Sequence, residues 1–290
     1  EATPEFRTQS GRFEIDRHAD DTKVIEMRRF ADLADEGWWG GDLESSRRAA
    51  DLPVVMRAEG LNVAAGIAWQ FADGKWSEND ELADFALPRG ADAAALHAPP
   101  AQLDERRGGS LLIYNLQAPL ELSGPAGARR SSLEVLQRAK ARGATVVARS
   151  PAEWDLPVWL ASGELDAIAI VDASSPTGDS RQRSVRPRDE TLYPGATGLG
   201  RWYEKVYHHV LECGLRIPPV AGSGSGRNHS SLGSSRVYGH CGEEFTLDGW
   251  WQALLAGRVF VTIGPLLRPM VRDEAPGYVF YLNPGERGMF

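Results

Sequence analysis

The chain has 290 residues, of which 42% are hydrophobic and 25% charged, so it can bury the core of one large globular domain. Its formal net charge of -8 argues against a nucleic-acid partner, because binding to a phosphate backbone usually needs a basic surface. No apolar run approaches the roughly 18 residues of a transmembrane helix, so no membrane span is expected.

The first 34 residues have the pattern of the end of a small β-domain. Apolar and polar residues alternate in 12–15 and again in 23–27, and a polar turn lies between these stretches. The chain starts at Glu1 rather than Met, which is typical of a processed product. That start is compatible with a secreted or periplasmic location after removal of a signal segment.

Strand and helix patterns alternate through the middle of the chain. The predicted elements are strands at 61–69, 110–114, 145–148, 165–171, 218–221 and 259–262, and helices at 52–60, 133–142, 154–162, 201–213 and 247–256. This alternation predicts a parallel sheet or barrel with functional residues on the loops after strand C-terminal ends. Those loops start near Asp42, Trp69, Asn115, Ala148, Asp172 and Gly222. The loop at 172–200 is long enough to suggest a function of its own.

The stretch 38–46, with the sequence WWGGDLESS, is the first candidate for a functional site. Two indoles precede a glycine pair that lets the backbone pass closely, and polar side chains follow. Carboxylates near predicted strand ends are Asp42, Glu44, Glu59 and Asp172. Carboxylate oxygens are the ligands that Mg²⁺ and Ca²⁺ prefer, although such a pattern has little specificity.

Other motifs are weaker evidence for a functional site. The segment Gly222–Gly226 is similar to a phosphate-binding loop, but no Lys-Ser/Thr pair and no helix pattern follow, which favours a plain loop. A serine hydrolase built on Ser223 or Ser225 with His229 or His240 lacks the Gly-x-Ser-x-Gly elbow. None of the six histidines forms a His-x-His or His-Glu-x-x-His motif of the kind that zinc hydrolases use. The two cysteines lack the spacing of a metal site.

Short stretches spread over residues 35–270 share residues, in the same order, with one known family. They are 35–43 (DEGWWGGDL), 55–64 (VMRAEGLNVA), 154–163 (WDLPVWLASG), 186–189, 193–195, 200–202, 213–219 (CGLRIPP), 221–226 (AGSGSG), 236–238, 257–262 (GRVFVT) and 264–269 (GPLLRP). Together they resemble the catalytic domain of CehA/McbA-type metallohydrolases, a branch of the PHP (polymerase and histidinol phosphatase) superfamily.

The resemblance implies an α/β fold, a PHP-like distorted (β/α)₇ barrel of the TIM-like kind, over residues 35–270. Residues 1–34 would then end an appended β-sandwich-like element, and 271–290 would begin a truncated C-terminal element. In this family a metal-activated water attacks a phosphoester, carbamate or related ester. The site would lie at the C-terminal ends of the strands.

The ligand positions of the family carry other residues in this chain. The family's His-x-His is Glu44-Ser45-Ser46, and one further histidine is replaced by Asn62. The segment after the strand 165–171 begins with Asp172 where the family tends to have Asn and His, and the late loop with Asp and His is Ser223–Gly226. Scaffold residues match and ligand residues do not, so no metal ligand is assigned.

Two hypotheses follow. The favoured one is a pseudoenzyme, a degenerate barrel without a cofactor that keeps its pocket as a binding or structural module for a small molecule or a protein. Its pocket would be lined by Asp42, Glu44, Trp69, Trp76, Asp172 and Arg188. The alternative is an active hydrolase with a divalent metal in a reduced, carboxylate-based site. Its candidate catalytic residues are Asp42, Glu44, Asp172 and Ser223.

Overall fold

The computed structural model describes most of the chain. The described residues are 4–7, 10–12, 24–84, 96–120, 130–171, 185–195, 197–264 and 266–267. The first strand of the expected N-terminal hairpin and the C-terminal element expected over 271–290 lie wholly or largely outside these ranges. So does the first part of the loop 172–200, residues 172–184. Within the described ranges, none of the helices combines the length and apolar character that a membrane crossing requires.

Strands and helices alternate along the chain. The strands are β1 (Trp38–Ser45), β2 (Val63–Ala72), β3 (Lys75–Glu78), β4 (Pro100–Glu105), β5 (Ser110–Tyr114), β6 (Thr145–Ala148), β7 (Ala167–Val171), β8 (Pro219–Ala221), β9 (Arg236–His240) and β10 (Val259–Thr262). The helices are α1 (Leu52–Glu59), α2 (Asp80–Ala83), α3 (Ser132–Ala141), α4 (Leu156–Ser162), α5 (Gly198–Glu212) and α6 (Leu247–Leu255). A short 3₁₀ turn, Ala49–Asp51, leads into α1.

All these strands belong to one barrel-like sheet. The order is β10-β9-β1-β2-β4-β5-β6-β7-β8. Strand β3 lies outside this order and pairs with residues 69–72 of β2. Strands β10 and β8 at the two ends of this order also approach each other, so the sheet is nearly closed. The chain therefore has a mixed α/β fold with a barrel-like sheet.

The sheet is not purely parallel, which corrects the simplest reading of the alternation. Strand β5 runs antiparallel to both β4 and β6, and β9 runs antiparallel to both β1 and β10. The connection from β4 to β5 is only residues 106–109, and a parallel crossover needs a dozen or more residues. Asn115 therefore lies at the opposite end of the sheet from Ala148.

Several elements have the bounds expected from the sequence, and others were missed. Strands β5, β6 and β10 match their expected ranges, and helix α4 begins at Leu156 because Pro157 fits only the first turn of a helix. Strands β3, β4 and β9 and helix α2 were not expected. Strand β4 was missed because it buries two polar side chains, Gln102 and Asp104.

Those two side chains have hydrogen-bond partners that follow β4 in the chain. Gln102 accepts a hydrogen bond from the N–H of Leu120 at 2.8 Å, and Asp104 is bound by the guanidinium of Arg106 at 2.6 and 3.0 Å. Burying such polar groups is strongly unfavourable unless they are hydrogen-bonded. The alternation rule, which counts apolar residues, does not detect a strand of this kind.

Two hydrophobic clusters pack on the two faces of the sheet. Along β5 the alternation sends Leu111 and Ile113 to the first cluster and Leu112 and Tyr114 to the second. The first cluster packs against helices α1, α3, α4 and α5, and the second packs against α6. The sheet is therefore packed on both faces.

The carboxylate of Glu5 links the segment before β1 to the sheet. An antiparallel bridge pairs Phe6 with Arg29, so the described residues at this end approach each other as a hairpin would. The Glu5 carboxylate accepts hydrogen bonds from the N–H of Leu33 at 3.2 Å and from the hydroxyl of Tyr238 in β9 at 3.5 Å.

Candidate functional site

Strand β1 delivers two carboxylates to one end of the sheet. Asp42 and Glu44 are two residues apart, so they leave the strand on the same side. Both are buried, with exposed fractions of 0% and 1%. The strand continues to Ser45, so these side chains lie inside β1 and not on a loop that starts at Asp42.

Asp42 is held by four hydrogen-bond donors. One carboxylate oxygen accepts the N–H groups of Glu44 at 3.1 Å and Ser223 at 2.9 Å. The other oxygen accepts the N–H of Gly233 at 2.7 Å and the hydroxyl of Ser223. Burial raises the pKa of Asp42 to about 6, although these hydrogen bonds act in the opposite direction.

Glu44 is paired with an arginine that the sequence analysis did not single out. The guanidinium of Arg149 donates to both oxygens of the Glu44 carboxylate, at 2.7 and 3.0 Å, and each side chain is 2% exposed. Arg149 directly follows β6, and its backbone N–H donates to the carbonyl of Ser110 at 3.0 Å. The result is a two-pronged ion pair away from water, a strong and well-oriented form of charge-assisted hydrogen bond.

The ion pair continues into a chain of alternating charges. A terminal nitrogen of Arg149 lies 3.9 Å from the Glu105 carboxylate at the end of β4. The same oxygen of Glu105 accepts a hydrogen bond from Arg227 at 2.9 Å. These charges meet because β1, β4 and β6 run in one direction and end at the same edge of the sheet. The one sequence signal for Arg149 was its position at the end of a buried strand.

The glycines of the loop after β8 allow its backbone to lie against β1. A Cβ atom on Gly222 would come within 2.7 Å of the Cβ of Glu44, and one on Gly226 within 2.6 Å of the Ser46 carbonyl. The Ser46 N–H donates to the carbonyl of Ser225 at 2.7 Å, which joins the loop to the strand end. Close packing on β1 therefore explains the glycines of a segment that looks like a phosphate loop.

Ser223 and Ser225 fill this loop as buried, hydrogen-bonded residues. The hydroxyl of Ser223 donates to Asp42 and accepts the N–H of Ser225 at 3.2 Å. The hydroxyl of Ser225 accepts a hydrogen bond from the Nε of Arg47 at 2.7 Å. The amide of Asn228 supports the loop from below by donating to the carbonyl of Ser223 at 3.2 Å.

The structure brings Asp42, Glu44 and Ser223 together but gives the other expected residues different surroundings. Trp69 lies within β2, 6% exposed, as part of the first hydrophobic cluster. Trp76 in β3 packs against the same cluster and donates its indole N–H to Glu78 at 2.6 Å. Arg188 donates to the carbonyl of Gly195 at 3.0 Å, ahead of α5. Asp172 lies outside the described residues.

The polar groups of this centre satisfy one another. Both oxygens of Asp42 and both oxygens of Glu44 accept hydrogen bonds from the protein itself. In the described part of the chain, no group of three or more His, Cys, Asp or Glu side chains is arranged to hold a metal ion. We call the set formed by Asp42, Glu44, Glu105, Arg149 and Ser223 the buried ionic centre.

Comparisons with known proteins do not place this chain in a family. A scan of protein-family models finds none that matches, and no curated protein is similar enough to count as a relative.

Proposed function

We propose that this chain is a homologue of the CehA/McbA-type PHP metallohydrolases in which an internal ion pair has replaced the metal centre. It then serves as a non-catalytic binding or structural module rather than as a hydrolase. The observation that carries this proposal is the two-pronged pair between Glu44 and Arg149. Glu44 opens the triplet that stands where the family has His-x-His.

A metal ligand must offer a lone pair to the metal, in its deprotonated form. Arg149 engages both oxygens of Glu44, and its guanidinium keeps its positive charge at any ordinary pH. A divalent ion at Glu44 would have to displace this cation from a buried site. Breaking such a pair costs about 3–5 kcal/mol, because it leaves one charge buried without its partner.

Strand directions support the fold part of the proposal. Strands β1, β2 and β4 are parallel, β6, β7 and β8 are parallel, and the two antiparallel steps around β5 make both groups run the same way. Strand β10 joins them through its antiparallel neighbour β9. A set of seven codirectional strands in a nearly closed sheet is the arrangement that a distorted (β/α)₇ barrel requires.

Metal analysis of protein purified without added metal tests the proposal. We expect far less than one equivalent of zinc, manganese or iron, and no chelator-sensitive turnover on a panel of phosphodiester, carboxylic ester and carbamate substrates. Stoichiometric metal together with turnover that is lost on adding a chelator would establish the competing hypothesis, an active hydrolase with a carboxylate-based site.

Variants sharpen the same experiment. The substitution Glu44→Gln keeps the size of the side chain, so it is expected to fold and to leave the metal content unchanged. If the chain is an active hydrolase, Glu44→Gln and Asp42→Asn instead lower both metal content and turnover. Arg48→Gln is the matched control, because Arg48 is an exposed neighbour that pairs only with Asp51 among the described residues.

A further inference from the structure

Two arginines lie at the outer side of the buried ionic centre. Arg47 follows β1 and Arg227 follows the loop after β8, and each is more exposed than Arg149. The two segments approach closely, because a Cβ atom on Gly226, the residue before Arg227, would lie 2.7 Å from the backbone nitrogen of Arg47. The guanidinium groups of Arg47 and Arg227 therefore extend from two segments that are packed against each other.

Arg47 is oriented but carries no carboxylate partner in the described part of the chain. Its Nε donates to the hydroxyl of Ser225 at 2.7 Å, and Ser225 is itself fully buried. That hydrogen bond fixes the plane of the guanidinium. No acceptor among the described residues contacts the two terminal amino groups of Arg47, which leaves the geometry that binds an oxyanion in two-pronged fashion.

The charges of this region are ordered by depth. The carboxylates of Asp42 and Glu44 are buried and fully hydrogen-bonded, and Glu105, with 19% of its side chain exposed, is held between Arg149 and Arg227. Arg227 is more exposed than its partner, with 35% of its side chain accessible. Within this described set the guanidinium group of Arg227 is therefore more exposed than the carboxylates, on a protein whose net charge is -8.

We propose that Arg47 and Arg227 form a subsite for a small ligand that carries a carboxylate or phosphate group. This inference rests on the proposed function, because it names the class of ligand that the non-catalytic module binds. Arg47 supplies the two-pronged contact, Ser225 holds it in place, and Arg227 adds a second positive charge while remaining bound to Glu105. No metal and no covalent step is involved.

Titration with two simple probes tests this subsite. Inorganic phosphate and malonate are added separately to the intact chain at constant ionic strength, and binding is followed by calorimetry. We expect saturable binding of at least one probe, and about tenfold weaker binding in each of the variants Arg47→Gln and Arg227→Gln, because each loses one charge-assisted contact. Arg48→Gln is the control and is expected to bind as the wild type does.

The outcomes separate the two proposals. Saturable binding of phosphate alone indicates a phosphate-bearing ligand, and binding of malonate alone indicates a carboxylate ligand. Lack of saturable binding by either probe, or equal weakening in the Arg48→Gln variant, overturns the subsite while leaving the metal analysis untouched. Binding that a chelator abolishes and that the Arg47 and Arg227 variants leave unchanged overturns both, because a bound metal then holds the anion.

Discussion

Replacing Arg149 by methionine tests how the buried ionic centre is held together. The substitution keeps an unbranched side chain of similar length and removes the positive charge from Glu44, which is 1% exposed. The Glu44 carboxylate then loses both of its guanidinium hydrogen bonds. Loss of one partner from a buried pair costs about 3–5 kcal/mol, so we expect the free energy of unfolding to fall by that amount.

The corresponding change at the other partner, Glu44→Gln, is expected to lower the free energy of unfolding by less. In the Glu44→Gln variant the amide oxygen still accepts one hydrogen bond from Arg149, and the guanidinium remains 3.9 Å from Glu105. A charged group that keeps part of its environment is destabilised less, so we expect a loss of about 1–3 kcal/mol. The structure thus predicts an asymmetry between the two partners.

The double variant Arg149→Met with Glu44→Gln completes a thermodynamic cycle. Because no uncompensated charge is left, we expect it to be more stable than Arg149→Met alone, with a coupling energy of about 2–3 kcal/mol. Urea unfolding followed by circular dichroism at pH 7 measures all four free energies. Arg48→Gln, on the exposed side of the same strand end, is expected to change stability by less than about 0.5 kcal/mol.

Two results would refute this reasoning. If Arg149→Met costs less than about 1 kcal/mol, Glu44 finds water or another partner, and the buried pair is not closed to other partners. If the two single changes add up in the double variant, the residues do not interact, and the site loses the feature on which the proposed function rests.

The remaining predictions concern Asp42 and the loop after β8. The pKa of Asp42 rises from 3.8 to about 6 on folding, so ionisation of this carboxyl group opposes folding. Its contribution to the free energy of unfolding is therefore most favourable below pH 4. That contribution declines as the pH rises through 6, by about 3 kcal/mol in all. The stability of the wild type relative to Asp42→Asn should therefore fall between pH 4 and pH 7 in urea titrations. A stability difference that is independent of pH would contradict this prediction. Gly222→Ala should cost about 1–3 kcal/mol, because its Cβ meets Glu44 at 2.7 Å. Gly200→Ala in α5, where no atom lies within 4 Å, should be neutral or stabilising in thermal unfolding, and equal effects at both glycines would count against the packing argument.

Part of the fold could be predicted from local patterns. The apolar stretches of β5 and β6 and the amphipathic pattern of α5 identify elements with a buried face, because residues two apart in a strand or three to four apart in a helix share a face. The apolar stretch of β10 identifies the strand, although most of its residues are only partly buried. The polar end of β1 was also recognisable, since Asp42 and Glu44 follow a glycine pair that few strands carry. Strand β4 was not, because its polar side chains Gln102 and Asp104 are buried, where an alternating pattern expects apolar residues.

The sequence by itself determined that the apolar stretches of β5 and β6 are buried and that β1 carries two carboxylates to a strand end. Only the tertiary structure decided what those carboxylates meet. Glu44 and Arg149 are 105 residues apart, and they pair because strand order brings the ends of β1 and β6 to one edge of the sheet. A local pattern records which face a side chain occupies, whereas the partner of a buried charge depends on the packing of the whole sheet.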